Sequence, residues 1–192
     1  MNSDHARKNF VVDVAALRRH PGARKEISLE GPIEELSITS SRVPDGAPVS
    51  VQGVLESVSG GVVVTATVSA PFEGECRRCL SVARGRLSAK VVELLTDIAD
   101  PDTGYLVEGD TLDLHDIAHD ACILELPLAP LCDEDCLGLC AVCGANRNVE
   151  PCSCAPSVDA RWAALAELGE SDVSERADPQ PERRRAGGEK TP

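Results

Sequence analysis

From Pro48 to Thr96 apolar residues recur at every second position, the period of a strand with one face on a core. Val49, Val51, Gly53 and Leu55 alternate with polar neighbours. Gly60-Gly61 is a two-residue turn signal, and Val62-Val63-Val64-Thr65-Ala66-Thr67-Val68 follows, mostly β-branched and uninterrupted. A hairpin is predicted. After a turn at Cys76–Cys79, a third long strand runs from Val82 to Leu95. Its period puts Ala83, Leu87, Ala89 and Val91 on one side and Arg84, Arg86 and Lys90 on the other.

Residues 10–19 (FVVDVAALRR) read as a short strand entering a helical turn that Pro21-Gly22 stops. Ala99 to Gly109 is loop. From Thr111 the period lengthens, since Leu114, Ile117, Ala121 and Leu124 recur at three- and four-residue intervals. This predicts a helix on the sheet, ended by Pro127. Leu131 to Cys154 holds too much Cys, Gly, Asn and Asp for a regular element. Ser157 can cap a last short helix with Val158, Trp162 and Leu165 on one face and Gly169 as its stop. The expected organisation is a flexible N-terminus over 1–9, a single domain over 10–169 and a disordered tail over 170–192, where almost nothing is apolar.

The 192 residues are 42% hydrophobic but only 2% aromatic, and nine are cysteines. A domain of this size buries enough surface to fold without staples, so the thiols need another reason. The first 20 residues carry Asp4, Arg7, Lys8, Asp13, Arg18 and Arg19 around short apolar pieces, unlike a secretory signal. The chain therefore reads as cytoplasmic, with reduced cysteines and no membrane span. Net charge is −13, and the stretch from Val91 to Asn146 holds 13 acidic residues and no Lys or Arg. Phosphate-backbone binding by the whole surface is excluded, and the acidic stretch suits a basic protein. Phe10, Phe72, Tyr105 and Trp162 are the only aromatics, too few for a platform that stacks several RNA bases.

The cysteine spacing carries the chemistry: Cys76-x2-Cys79, then Cys132-x3-Cys136-x3-Cys140-x2-Cys143-x8-Cys152-x-Cys154. A C-x2-C turn lets two sulfurs reach one ion, and Gly144 after Cys143 helps such a turn close. Eight thiols suffice for two four-sulfur sites. Cys76, Cys79, Cys132 and Cys136 are expected around one zinc ion, and Cys140, Cys143, Cys152 and Cys154 around a second. The first would clip the strand turn to the segment leaving the helix; the second is local in sequence. Neither cluster offers, at the right spacing, the His or carboxylate ligands and open position of most catalytic zinc sites, so zinc is expected as a folding element. The fold class expected is α+β, an antiparallel β-sheet with one or two packed helices and a zinc-stapled C-terminal segment.

Cys136-x3-Cys140-x2-Cys143 has the iron–sulfur spacing of radical enzymes that use S-adenosylmethionine, but only 49 residues follow, too few for their barrel. A small iron–sulfur protein and a thiol redox switch stay as alternatives. His115 and His119 stand four apart, without the Glu of a metalloprotease motif, and read as a solvated pair. Cys122 reads as a small packed side chain. No Ser-His-Asp order, P-loop or G-x-G-x-x-G is present, so no catalytic residue and no small-molecule substrate are expected.

The Cys76-Arg-Arg-Cys79-Leu80 turn after a β-rich segment, and Leu126-Pro127-Leu128-Ala129-Pro130-Leu131-Cys132 leading to Cys136-Leu-Gly-Leu-Cys140-x2-Cys143-Gly144, resemble the YceD family over roughly Phe10 to Cys154. Where its members often have Asn-Leu-Asn after the glycine, this chain has Asn146-Arg147-Asn148. The resemblance implies a non-catalytic role in accumulation or maturation of large-subunit ribosomal RNA, with that RNA or a basic ribosomal protein, or both, as partner. The expected RNA contacts are Arg77, Arg78, Arg84, Arg86 and Lys90, because the stretch from Cys76 to Lys90 has no acidic residue. Alternatively these residues pair with the acidic stretch after Glu93. An acidic adaptor or chaperone for a basic ribosomal protein is the second reading of function, and a thiol or zinc redox sensor the third.

Overall fold

The computed structural model describes residues 7–96, 105, 107–155 and 161. In chain order the elements are β1 (Val11–Asp13), α1 (Ala15–Arg18), β2 (Arg24–Pro32), β3 (Ser41–Arg42), β4 (Pro48–Val58), β5 (Gly61–Glu75), β6 (Val82–Thr96), β7 (Val107–Glu108), β8 (Thr111–Asp113) and α2 (His115–Glu125). All strand pairs are antiparallel, which makes the fold α+β, mostly sheet with few helices.

The larger sheet is built around β5. On one edge β6 follows it for its full length, from Gly61↔Thr96 to Glu75↔Val82. On the other edge β4 pairs up to Ser50↔Ser69, and β3 takes over at Glu73 and Gly74. Pro71 falls in the gap between those two partners, where a residue without an N–H is tolerated. The predicted alternation holds: Val62, Val64, Ala66, Val68 and Ala70 of β5 and Ala83, Leu87, Val91 and Leu95 of β6 are buried. The hairpin turn lies one residue earlier than predicted, at Ser59-Gly60, since Val58 already pairs with Gly61.

β2 was not anticipated. It pairs with β4 from Arg24↔Glu56 to Pro32↔Pro48, yet buries only Ile27 fully among its side chains. An edge strand needs few apolar residues, so its charged sequence hid it.

A second, small sheet in the order β1-β8-β7 joins the N-terminal segment to the strand before α2, with Val12 opposite Leu112. The helix therefore starts later than predicted. Thr111 to Asp113 are extended, and Asp113 Oδ1 accepts the His115 N–H at 2.8 Å at the helix entry. Its apolar stripe is also displaced: Leu114, Ile117, Ala118, Ala121 and Cys122 are buried, whereas Leu124 is 85% exposed. Lys8–Phe10, placed at the edge of a loose lead-in, form a 3-10 turn, and Arg7 pairs with Asp113 and Asp116. α2 packs on β5 and β6. One core, from Phe10 and Val14 through Leu55 and Val68 to Leu112 and Cys122, serves both sheets and the helix. The predicted helix after Ser157 and the tail over 170–192 lie outside the described residues.

Candidate metal centres

Past α2 the chain turns back onto the far end of the β5–β6 hairpin. Ser40 Oγ and Ser41 Oγ donate to the Pro127 carbonyl (3.1 and 2.9 Å), and the Arg77 N–H donates to that of Pro130 (3.0 Å). These contacts bring Cys132 and Cys136 to the hairpin tip. There Cys76, Cys79, Ala83 and Cys136 form a second small buried cluster, flanked by Leu131 and Leu139.

The four sulfurs of Cys76, Cys79, Cys132 and Cys136 lie within 4.8 Å of one another, and so do those of Cys140, Cys143, Cys152 and Cys154. The predicted partition is the one the fold assembles. A tetrahedral ion with metal–sulfur bonds of about 2.3 Å sets its ligands about 3.8 Å apart. Cys76 Sγ is 3.8 Å from Cys136 Sγ, and Cys79 Sγ is 3.5 Å from Cys132 Sγ. The spacing suits one ion held by four thiolates at each site.

The surroundings are arranged for thiolate as well. Backbone N–H groups of Cys132, Cys79 and Arg78 donate to Cys76 and bring its thiol down to about 6. The Ser81 hydroxyl, with the Ser81 N–H, lowers Cys79. Cys132, hydrogen-bonded to Cys79 and crowded by the other sulfurs, is pushed up to about 12. The second site repeats the division: N–H groups of Cys143 and Val142 lower Cys140 to about 6, while the hydrogen bond to Cys143 leads the rise of Cys154 to about 12. Four sulfurs this close cannot all carry charge unaided. A divalent cation would supply the positive charge that makes every one a thiolate.

The two C-x2-C turns are built alike. The Cys76 N–H donates to Ser81 O (2.8 Å) and the Leu80 N–H to Cys76 O (2.9 Å); correspondingly, the Cys140 N–H donates to Ala145 O (2.8 Å) and the Gly144 N–H to Cys140 O (2.9 Å). The residue after the second cysteine is left-handed in both, at φ +62° for Leu80 and +75° for Gly144. Glycine adopts that conformation freely, whereas leucine is strained in it.

A polar shell supports the first site from the segment that follows the second C-x2-C turn. Asn148 Nδ2 donates to Cys136 Sγ at 3.2 Å, and Asn148 Oδ1 accepts the Leu137 N–H at 2.7 Å. Asn146 Oδ1 in turn accepts from Asn148 Nδ2 at 2.8 Å. Sequence reasoning missed both asparagines as supports of the first site; their position two residues apart, just past Cys143-Gly144, was the available signal. Arg147 between them is exposed.

Of the five expected RNA contacts, Arg78 has another task. Its Nη1 donates to the carbonyls of Glu134 (2.9 Å) and Cys136 (3.0 Å), clamping the first site, while the residue itself is exposed. Arg84, Arg86 and Lys90 are exposed as the strand period predicted, and Arg77 is exposed at the turn. Among the described residues, Arg84 Nε lies 3.8 Å from Glu73 Oε2, and Arg86 Nη2 donates to Ser69 Oγ at 3.2 Å.

His115 and His119 are not the solvated pair expected. Each ring Nδ1 meets the following aspartate, Asp116 at 3.0 Å and Asp120 at 3.2 Å, and the His115 ring packs edge-on to Phe10. Cys122 is fully buried in the core, and burial pushes its thiol up to about 11. No helix among the described residues is long and apolar enough to cross a membrane.

A family model described as "Large ribosomal RNA subunit accumulation protein YceD" matches residues 64–169. An uncharacterized protein of Mycobacterium tuberculosis is 39% identical over 173 residues, spanning 85% of this chain and 83% of its own length. Another from Mycobacterium leprae is 34% identical over 178 residues, spanning 88% and 82%. No solved structure matches.

Proposed function

Because the chain belongs to the YceD family, we propose that it is a non-catalytic cytoplasmic factor for accumulation and maturation of large-subunit ribosomal RNA, folded around two structural zinc ions. The observation that carries this reading is the hairpin itself. β6 holds Arg84, Arg86 and Lys90 on exposed positions of a strand whose other face is buried, Arg77 is exposed at the hairpin turn, and the first cysteine site anchors the tip. Arg84 and Lys90 stand roughly 20 Å apart at about 3.3 Å per residue, a span that meets several phosphates of one strand. The field of so acidic a protein opposes RNA everywhere else, which confines contact to this face.

Four phosphate contacts give a log–log salt slope near −2.8 on single-stranded RNA, a loss of about 50-fold in affinity between 50 and 200 mM salt. The test is anisotropy binding of large-subunit RNA fragments by the parent and by the Arg84→Glu/Arg86→Glu/Lys90→Glu variant. The variant should lose RNA while keeping two zinc ions per chain by metal analysis and its melting temperature. Equal binding by the two proteins at matched salt would remove the basic face from consideration.

A groove of about 410 Å³ between β6 and α2 favours the adaptor reading as a second possibility. Glu93, Asp120 and Glu125 line it beside the exposed Val92 and Leu124, chemistry suited to a basic segment with an apolar anchor. A basic ribosomal protein retained on the immobilised chain after nuclease treatment supports that reading; its release with the RNA supports the first.

A further inference from the structure

The first cysteine turn places leucine where its sister places glycine. Leu80 sits at φ +62°, and Gly144 holds the equivalent position at φ +75°. Burial does not account for the leucine, because its side chain is 57% exposed. Val82, two residues on, is exposed to the same degree. A strained, solvent-facing apolar residue at a rigid turn is held for what it touches, since folding gains nothing from it there.

What it borders is a groove of about 540 Å³ between the cysteine turn and the segment from Ser37 to Arg42. Ser37, Thr39 and Arg42 line it from that segment, and Glu73, Glu75, Leu80, Val82 and Arg84 line it from the hairpin. Both arginines reach Glu73 Oε atoms, at 2.8 and 3.8 Å, so that one carboxylate holds two guanidinium groups beside the opening. Arg77, Arg86 and Lys90 continue the positive charge along the hairpin, on a chain whose net charge is −13. The occupant that matches hydroxyl groups, an aliphatic wall and flanking cations is a nucleotide: a planar base between the walls, with its phosphates on the arginines.

We infer that this groove takes an unstacked base of single-stranded RNA, with Leu80 and Val82 as its apolar wall. The inference rests on the RNA reading above and deepens it, because phosphate contacts position a strand while a base pocket selects unpaired sequence. It also removes the difficulty that the chain has too few aromatics for a stacking platform, since one aliphatic pocket needs none.

The test uses the full chain with a short single-stranded RNA and the duplex of the same sequence at fixed salt. Leu80→Gly relieves the left-handed strain and keeps the turn; Leu80→Ala removes the side chain but keeps the strain. Both should weaken single-strand binding about tenfold while changing duplex binding less than about twofold. Leu80→Met should bind like the parent. Leu80→Gly should melt no lower than the parent and retain its full metal content, which separates this loss from damage to the site. If Leu80→Gly binds the single strand as the parent does while the triple glutamate variant fails, the base pocket is overturned and the basic face stands. Equal losses on both RNAs also overturn it. A parent chain that binds neither RNA overturns both readings.

Discussion

The turns at Cys76–Ser81 and Cys140–Ala145 close with the same pair of backbone hydrogen bonds, but they stand in different surroundings. Around the first, Cys76, Cys79 and Cys136 are buried, the turn is the tip of two 15-residue strands, and the ligands come from positions more than 50 residues apart. Around the second, no cysteine is buried, and all four ligands lie between positions 140 and 154. The same motif thus does two jobs. In one place an ion would substitute for the apolar contacts that a hairpin tip cannot make by itself; in the other it would only shape its own loop.

Loss of the first site should have the largest effect. Cys79→Ser is expected to lower the melting temperature by more than about 15 °C, since a structural zinc ion contributes on the order of 10 kcal/mol and each kcal/mol is worth about 2–4 °C at this size. A shift below about 5 °C would show that the main core holds the hairpin without the ion. Next comes Asn148→Ala, which removes the donor to Cys136 Sγ; it should weaken metal at the first site about 10-fold in chelator competition while the second site is unchanged. If the second site weakens instead, Asn148 belongs to the other half of the comparison. Cys143→Ser should cost one metal ion per chain yet leave the sheet's melting temperature within about 3 °C. Equal melting of Cys79→Ser and Cys143→Ser would mean that the two sites are not independent. Smallest of all, Arg147→Leu restores the residue that the family resemblance leads one to expect, and it should change stability by less than about 0.5 kcal/mol because the flanking asparagines hold the segment.

The reasons for success and failure in reading the sequence are physical. The cysteine partition was legible because C-x2-C spacing is a constraint of local geometry, independent of the rest of the fold. β4, β5 and β6 were legible because each has one buried face and a strict period. β2 was not, since an edge strand needs only an Ile27 to seat it. Leu124 misled because a helix end tolerates an exposed leucine, while Cys122 and Ala118, poorer markers of a core, took the buried positions. Arg78 and Asn148 carry long-range tasks that no spacing announces: a guanidinium reaching two carbonyls, and an amide reaching a sulfur.

The separation between Cys79 and Cys132 also sets an order of events while the chain is being made. These ligands are 53 positions apart, which at synthesis rates of roughly 5–20 residues per second is about 3–10 s. During that interval the nascent hairpin presents two thiols of a four-thiol site and cannot complete it. The 140–154 loop has no such delay, since its four ligands leave the ribosome almost together. Metal capture at the hairpin tip would therefore be a late event, contingent on the sheet having already formed, whereas the distal loop could load on its own.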